Sequence, residues 1–113
     1  MDKLWGVLDK TPLHIEIVSS DETTVLVVLS GDLDFNTATE LTALPLETGY
    51  RRMDLDLSGL AFIDSSGLAA LVRLHQRIAA AGAALRVVAL TPYLRGLMRM
   101  TALDRLFTLP PEL

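Results

Sequence analysis

The 113-residue sequence contains no cysteine, which excludes disulfide bonds, thiolate metal sites and a cysteine nucleophile. Basic residues are also few, since ten lysines and arginines stand against fourteen aspartates and glutamates, for a net charge of −4. We expect no nucleic-acid partner, because binding to phosphate backbones requires a surplus of positive charge. No apolar run approaches the roughly 20 residues of a membrane helix, so no membrane partner is expected.

The sequence does contain a large apolar fraction, 50% of all residues, in a length typical of one domain. A chain of this size buries roughly two-thirds of its extended surface, which is enough for one core. The first residues include Asp2 and Asp9 and lack the apolar core of a signal peptide. We therefore expect a cytoplasmic protein with an N-terminal arm at residues 1–12, one domain at residues 13–109 and a C-terminal tail at residues 110–113.

Apolar patterning predicts the strands. Residues 13–17 alternate between apolar and polar side chains, which is typical of a half-buried strand, and residues 25–29 form a continuous apolar run. A short polar turn separates these two segments, so they are expected to form an antiparallel hairpin. Residues 53–57 alternate again, residues 60–63 continue as a buried run, and residues 84–90 are predicted to form a further strand.

Helices are predicted after each of the later strands. The first is capped by Asn36 or Thr37 and runs through Leu44. The second covers residues 68–81 and ends with Gly82 at its C′ position.

The second helix is amphipathic. Its buried side is expected to include Leu71 and Ala79, and its exposed side to include Ala70 and Arg73. A third helix is predicted to begin at Pro92, a residue suited to the first helical position, with Thr91 as its cap.

The element order is β-β-α-β-α-β-α-β, in which residues 106–109 form a last short strand or an extended tail. Strands joined through helices are parallel. We therefore expect an α/β domain with a mixed β-sheet, an antiparallel hairpin plus parallel βαβ crossovers, packed with about three to four helices. Loops after parallel strands gather at one edge of the sheet, so Asp32 and Asp34 are expected near Ser65.

Residues 64–67, DSSG, lie where a strand meets the start of a helix. A hydroxyl at such a junction could act as a helix cap, a nucleophile or a phosphate acceptor. A nucleophile requires a base, and His14 and His75 are both far from the motif in the sequence. Glycine-rich phosphate loops and ligand-spaced metal residues are also lacking, so no catalytic site, metal or cofactor is predicted.

Two segments of the sequence resemble bacterial anti-sigma factor antagonists. Residues 31–38, GDLDFNTA, are similar to that family's Gly-Glu-Leu-Asp-x-x-Thr-Ala signature, and residues 57–68, LSGLAFIDSSGL, resemble its phosphorylation segment. The Thr-Pro pair at residues 91–92 and residues 94–107 also match in order and spacing. The resemblance covers residues 13–108 and implies a single STAS-like domain.

The resemblance implies a role in transcription regulation by partner switching. Members of the family bind an anti-sigma factor that is also an ATP-dependent serine kinase, which releases a sigma factor. The kinase phosphorylates the serine that corresponds to Ser65, and a PP2C-type serine phosphatase reverses the modification. Asp34 and Asp64 would help to present the hydroxyl of Ser65. The protein is expected to be a monomer or weak dimer. The implied partner-binding residues are Asp32, Asp34, Asp64, Ser66, Gly67 and Leu68.

One departure from the family concerns the segment after the first motif, which is shorter by about one helical turn. Pro45 lies where the helix would continue, so partner choice is expected to differ there. An alternative function also stays open: a non-phosphorylated STAS interaction module of a lipid-transport or transporter-associated complex. In that case Ser65 would serve only as a cap.

Overall fold

A computed structural model of the chain describes residues 11–19, 21–45 and 49–112. Most of the predicted arm, residues 1–10, and the last residue of the predicted tail lie outside the described residues. The elements in chain order are β1 (His14–Ser19), β2 (Thr24–Leu33), α1 (Ala38–Thr42), β3 (Arg52–Ile63), α2 (Ser65–Ala80), β4 (Ala84–Ala89), α3 (Pro92–Met100) and a 3-10 helix (Leu103–Arg105).

The four strands form one mixed sheet in the order β1-β2-β3-β4. β1 pairs with β2 in an antiparallel hairpin, whereas β2, β3 and β4 are mutually parallel and are connected through helices. The predicted α/β fold is therefore confirmed. Because the three parallel strands run in one direction, their carboxyl ends lie at the same edge of the sheet, and the loops of both sequence motifs begin there.

The core lies between one face of the sheet and the helices. Alternation along each strand directs apolar side chains to this face, where they meet the apolar sides of α2 and α3. The largest fully buried side chains are Val27, Leu29, Leu33, Leu41, Met53, Leu55, Leu57, Leu71, Leu74, Ile78, Leu94 and Met98. On the opposite face, Asp54 forms ion pairs with Arg52 and Arg86, which lie at 3.0 and 3.4 Å.

The N-cap of the first helix is Thr37, as predicted, but the helix is shorter than predicted. It spans only five residues, and Leu44, although buried, lies beyond its end. The predicted cap Thr37 makes no side-chain cap bond. Asp34 Oδ1 accepts instead, from the Asn36 and Thr37 N–H groups at 3.0 and 3.2 Å, because the chain already turns at residues 35–37. The Thr37 N–H also donates to the Asp34 carbonyl at 3.1 Å.

The second helix is confirmed, with Gly82 following it at a φ of 79°, but its buried side is rotated from the prediction. Ala70 is buried and Ala79 is exposed, so both assignments were wrong. The side of α2 that faces its neighbours includes two small residues, Gly67 and Ala70. Small residues let the helix backbone approach the sheet closely.

The end of the chain forms an extended tail rather than a full strand. Thr108 makes a single parallel bridge with Arg86, and its carbonyl accepts the Val87 N–H at 3.0 Å. Ala102, with a φ of 61°, turns the chain after α3 and the 3-10 helix follows. This route places Phe107 in the core.

Candidate functional site

The loops that follow β2 and β3 lie side by side, as the topology predicted. The Asp64 N–H donates to the Leu33 carbonyl at 3.3 Å, and the Phe35 N–H donates to Asp64 Oδ2 at 3.0 Å. These two bonds join segments that are 29 or more residues apart in the sequence. The two motifs therefore form one continuous surface at the carboxyl edge of the sheet.

Asp64 is the cap of α2. Its Oδ1 accepts the Gly67 N–H at 2.9 Å while its backbone stays extended, which is the standard geometry of a capping residue. Neither serine of the motif is needed as a cap. The Asp64 carboxylate also holds the neighbouring loop through Phe35, so one side chain positions both halves of the site.

Ser65 occupies the first position of α2 and is exposed. Within the described parts of the chain, no group forms a hydrogen bond with its hydroxyl. Its position at the start of a 16-residue helix places it where the helix dipole favours negative charge. The hydroxyl is therefore accessible to another macromolecule, and a phosphate on it would be electrostatically tolerated.

Gly67 allows this close arrangement. It is buried, and a Cβ at this position would overlap the Leu33 carbonyl oxygen and lie 2.7 Å from Ile63 Cγ1. Only glycine lets the first turn of α2 lie this close to the end of β2. The position of Ser65 relative to the neighbouring loop therefore depends on the absence of a side chain at residue 67.

Asp34 is 4% exposed and its carboxylate is directed at its own turn. Besides accepting from two backbone amides, Oδ1 lies 3.2 Å from the Thr37 hydroxyl oxygen. The same hydroxyl donates to the Asp32 carbonyl at 2.9 Å and accepts the Asp34 N–H at 2.9 Å. Asp34 and Thr37 therefore fix the shape of the loop that carries Phe35.

Asp32 is 6% exposed, so its side chain presents little surface to a partner. Its Oδ2 accepts the Thr11 N–H at 3.0 Å, and its own N–H donates to the Thr11 carbonyl at 3.1 Å. The end of the predicted arm is thus bound to β2 and covers Asp32. Gly67 is buried as well. The predicted partner contacts stay predictions for all six residues: Asp32, Asp34, Asp64, Ser66, Gly67 and Leu68.

Two exposed aromatic residues at this edge were missed by the sequence reasoning. Phe35 is 76% exposed and Phe62, which pairs with Asp32 across β2 and β3, is 45% exposed. Large exposed aromatic side chains are typical anchors of protein interfaces. A sequence signal existed for Phe35, since it lies between two polar residues in a turn, where no strand or helix pattern would bury it.

Within residues 11–19, 21–45 and 49–112, no three metal-ligating side chains are grouped to hold an ion, and neither histidine hydrogen-bonds to Ser65. His75 packs edge-on against Phe107, with ring centroids 5.5 Å apart and planes at 80°. In the same described ranges, no helix combines the length and apolarity needed to cross a membrane.

Comparison with known protein families gives one match that spans most of the domain. The family model described as "Mlab, STAS domain" matches residues 17–110. The chain therefore belongs to the STAS domain family, as the two motifs indicated.

Solved structures agree with this assignment. An anti-sigma factor antagonist from Mycobacterium paratuberculosis is 25% identical, with 90% of this chain and 88% of that chain covered and a TM-score of 0.74. The anti-sigma factor antagonist SpoIIAA in its unphosphorylated form is 17% identical over 88% and 90% of the two chains, with a TM-score of 0.68. A sulfate transporter family protein from Wolinella succinogenes is 18% identical over 74% and 70%, with a TM-score of 0.67.

Proposed function

We propose that the protein is an anti-sigma factor antagonist that works by binding and not by catalysis. It binds an anti-sigma factor serine kinase and thereby releases a sigma factor. Phosphorylation of Ser65 by that kinase ends the interaction, and a PP2C-type serine phosphatase restores it. The similarity to anti-sigma factor antagonists supports the general role, and the geometry around Ser65 supports the switch.

The observation that carries this proposal is the exposed Ser65 hydroxyl at the start of α2. A kinase must reach the hydroxyl, and a hydroxyl engaged as a helix cap would have to leave its N–H first. Here Asp64 supplies the cap, so phosphorylation of Ser65 breaks no bond of the helix.

Charge explains how the modification would switch binding. A phosphate adds about −1.5 to −2 charge directly after the Asp64 carboxylate. In the free protein the N-terminus of α2 offsets part of this charge. A partner surface fitted to a neutral hydroxyl would instead meet repulsion and a desolvation cost. A thousandfold loss of affinity corresponds to about 4 kcal/mol, which these terms can supply without refolding the domain.

Phe35 and Phe62 supply the apolar part of the proposed interface. Both flank the motif loops, and the Phe35 amide is held by Asp64, so its ring is carried on an ordered turn. Truncation of a central aromatic anchor usually costs an interface about 2 kcal/mol or more. We expect Phe35→Ala to weaken kinase binding about 30-fold, measured by isothermal titration calorimetry. Because the ring is exposed, the melting temperature of Phe35→Ala should equal that of the native chain. A lower melting temperature would mean that the weaker binding reflects lost stability and not a lost interface contact.

Phosphorylation is tested by incubating the protein with an anti-sigma factor kinase from the same genome and ATP, followed by mass spectrometry. One phosphate on Ser65 is expected, with none on Ser65→Ala. Ser66→Ala is the matched control, because this neighbouring serine is half-buried in the same helical turn. It should be labelled as efficiently as the native chain. Labelling of Ser66 alone, or of neither serine, would contradict the proposal.

Affinity measurements test the switch separately. Ser65→Ala should bind the kinase as the native protein does, whereas Ser65→Asp should bind at least about tenfold more weakly, equivalent to about 1.4 kcal/mol. Equal affinities for the two variants would show that charge at residue 65 does not control docking.

A second candidate function is an interaction module, not phosphorylated, within a transporter-associated or lipid-transport complex. The observation that favours it is the occurrence of the same fold in a sulfate transporter family protein. Under this function, Ser65 takes up no phosphate from any anti-sigma factor kinase, and the exposed edge binds its partner equally well with Ala or Asp at residue 65. The two experiments above therefore separate the candidates.

A further inference from the structure

A groove lies between α3 and the end of the chain, and none of its lining residues belongs to the two motif loops. It has a volume of about 650 Å³. Its floor includes Ala89 and Leu90, at the carboxyl end of β4, and one side is formed by residues 110–112. The opposite side is formed by Pro92, Arg95, Gly96 and Arg99.

The groove is positively charged. Arg95 and Arg99 are the only charged residues of α3 and lie one helical turn apart, where like charges repel each other. The Arg95 side chain is only 16% exposed, so its charge requires an anionic or carbonyl partner. No residue of α3 supplies one.

The C-terminal tail supplies both kinds of partner. Pro110 accepts a hydrogen bond from Arg95 Nη2 through its carbonyl at 2.6 Å. Glu112 Oε1 lies 3.7 Å from Arg95 Nε and also pairs with Arg99 Nη2. Two consecutive prolines restrict this segment to extended conformations. The tail thus shows which ligand fits the groove: an extended segment with a carboxylate placed between two guanidinium groups.

Gly96 gives an independent indication of docking. Glycine inside a helix is unfavourable, but it lets a neighbouring backbone approach the helix closely. No atom lies within 4 Å of a Cβ built on Gly96, so nothing in the described chain accounts for it. The open space above Gly96 belongs to the groove, where a second segment could lie against the helix backbone.

We propose that this groove is a docking site for an extended acidic segment of a partner protein, which displaces the tail from the two arginines that the tail pairs with in the free protein. The Arg99–Glu112 pair is held weakly, because both side chains are more than half exposed and surface ion pairs contribute little. An incoming segment can therefore replace Glu112 without breaking the fold. The proposal is independent of the role of Ser65, so either can fail alone.

The test uses the full chain and a five-residue probe peptide, Leu-Pro-Pro-Glu-Leu, which copies residues 109–113. Glu112→Gln weakens the internal contact, so this variant should bind the peptide about tenfold more tightly than the native chain. Binding is followed by the NMR shifts of the Arg95 and Arg99 Nε–H groups, and should weaken with salt. A peptide with Gln in place of Glu is the matched ligand control and should bind poorly.

Gly96→Leu separates docking from folding. Leucine favours the helix and meets no atom at its Cβ, so the variant should be at least as stable as the native chain. In the Glu112→Gln background it should nevertheless abolish peptide binding, whereas Arg105→Gln, outside the groove, should have no effect. Unchanged binding with Gly96→Leu, or no binding to Glu112→Gln, overturns the proposal. Dimerisation through exchanged tails would make a second copy the occupant and overturn it too.

Discussion

The same substitution, glycine to alanine, is expected to have opposite effects at two helical positions. At Gly67 the new Cβ overlaps the Leu33 carbonyl oxygen and lies 2.7 Å from Ile63 Cγ1, well inside the 3.4 Å at which ordinary contact begins. Leu33 cannot move freely, because it belongs to β2 and its carbonyl also accepts the Asp64 N–H. Overpacking of this kind costs about 1–3 kcal/mol. Alanine regains at most about 1 kcal/mol as a better helix former.

We therefore expect Gly67→Ala to lower the free energy of unfolding by about 1–2 kcal/mol. At Gly96 no atom opposes the new Cβ, so Gly96→Ala should raise it by about 0.5–1 kcal/mol. The two variants should then differ in melting temperature by about 10 °C, for a domain of this size.

Urea unfolding followed by circular dichroism measures the free energy of unfolding of the native chain and of both variants. The packing argument is refuted if Gly67→Ala is as stable as the native chain, or if Gly96→Ala is less stable. Kinase binding gives a second test, because displacement of α2 from β2 moves Ser65 relative to Phe35. Gly67→Ala should therefore bind the kinase more weakly than Gly96→Ala does.

Three further substitutions test single hydrogen-bonding groups. Asp64→Ala removes the cap of α2 and should lower the free energy of unfolding, measured with urea, by about 1–2 kcal/mol. Asp64→Asn should be intermediate, because its single amide oxygen cannot accept from both the Gly67 and the Phe35 N–H groups. Thr37→Val removes the hydroxyl that links Asp32 and Asp34 and should cost about 1–2 kcal/mol, whereas the exposed Thr39→Val should be nearly neutral. The Thr23 N–H lowers the pKa of Asp21 below its ordinary value of 3.8. This stabilisation is fully present above the ordinary pKa and is lost as the pH falls through the lowered pKa of the folded state, so the advantage over Asp21→Asn should begin to decline below about pH 4.

Much of the fold could be predicted from local patterns. Alternating and continuous apolar runs located the four strands, because a strand's two faces differ in burial every second residue. The helix after residue 64 followed from its apolar periodicity and from Gly82. The juxtaposition of the two motif loops followed from topology alone, since parallel strands bring their carboxyl ends to one edge.

Other features depended on contacts between distant parts of the chain. Asp32 and Phe62 pair in the sheet, yet one is buried and the other exposed, because Thr11 reaches back over 21 residues to cover Asp32. The close approach of α2 to β2 at Gly67 was also not predicted from the sequence, because a glycine in the first helical turn does not by itself indicate a close contact.

The sequence by itself determined which residues could take part in the site, through motif spacing and strand order. The tertiary structure decided their roles. Asp64 caps α2, which leaves the Ser65 hydroxyl available. Glu112 pairs with Arg99 at the groove beside α3. Spacing along a chain specifies secondary structure and topology, because both depend on periodic burial. It does not specify which polar group finds which partner, because that depends on distances between side chains that only packing brings together.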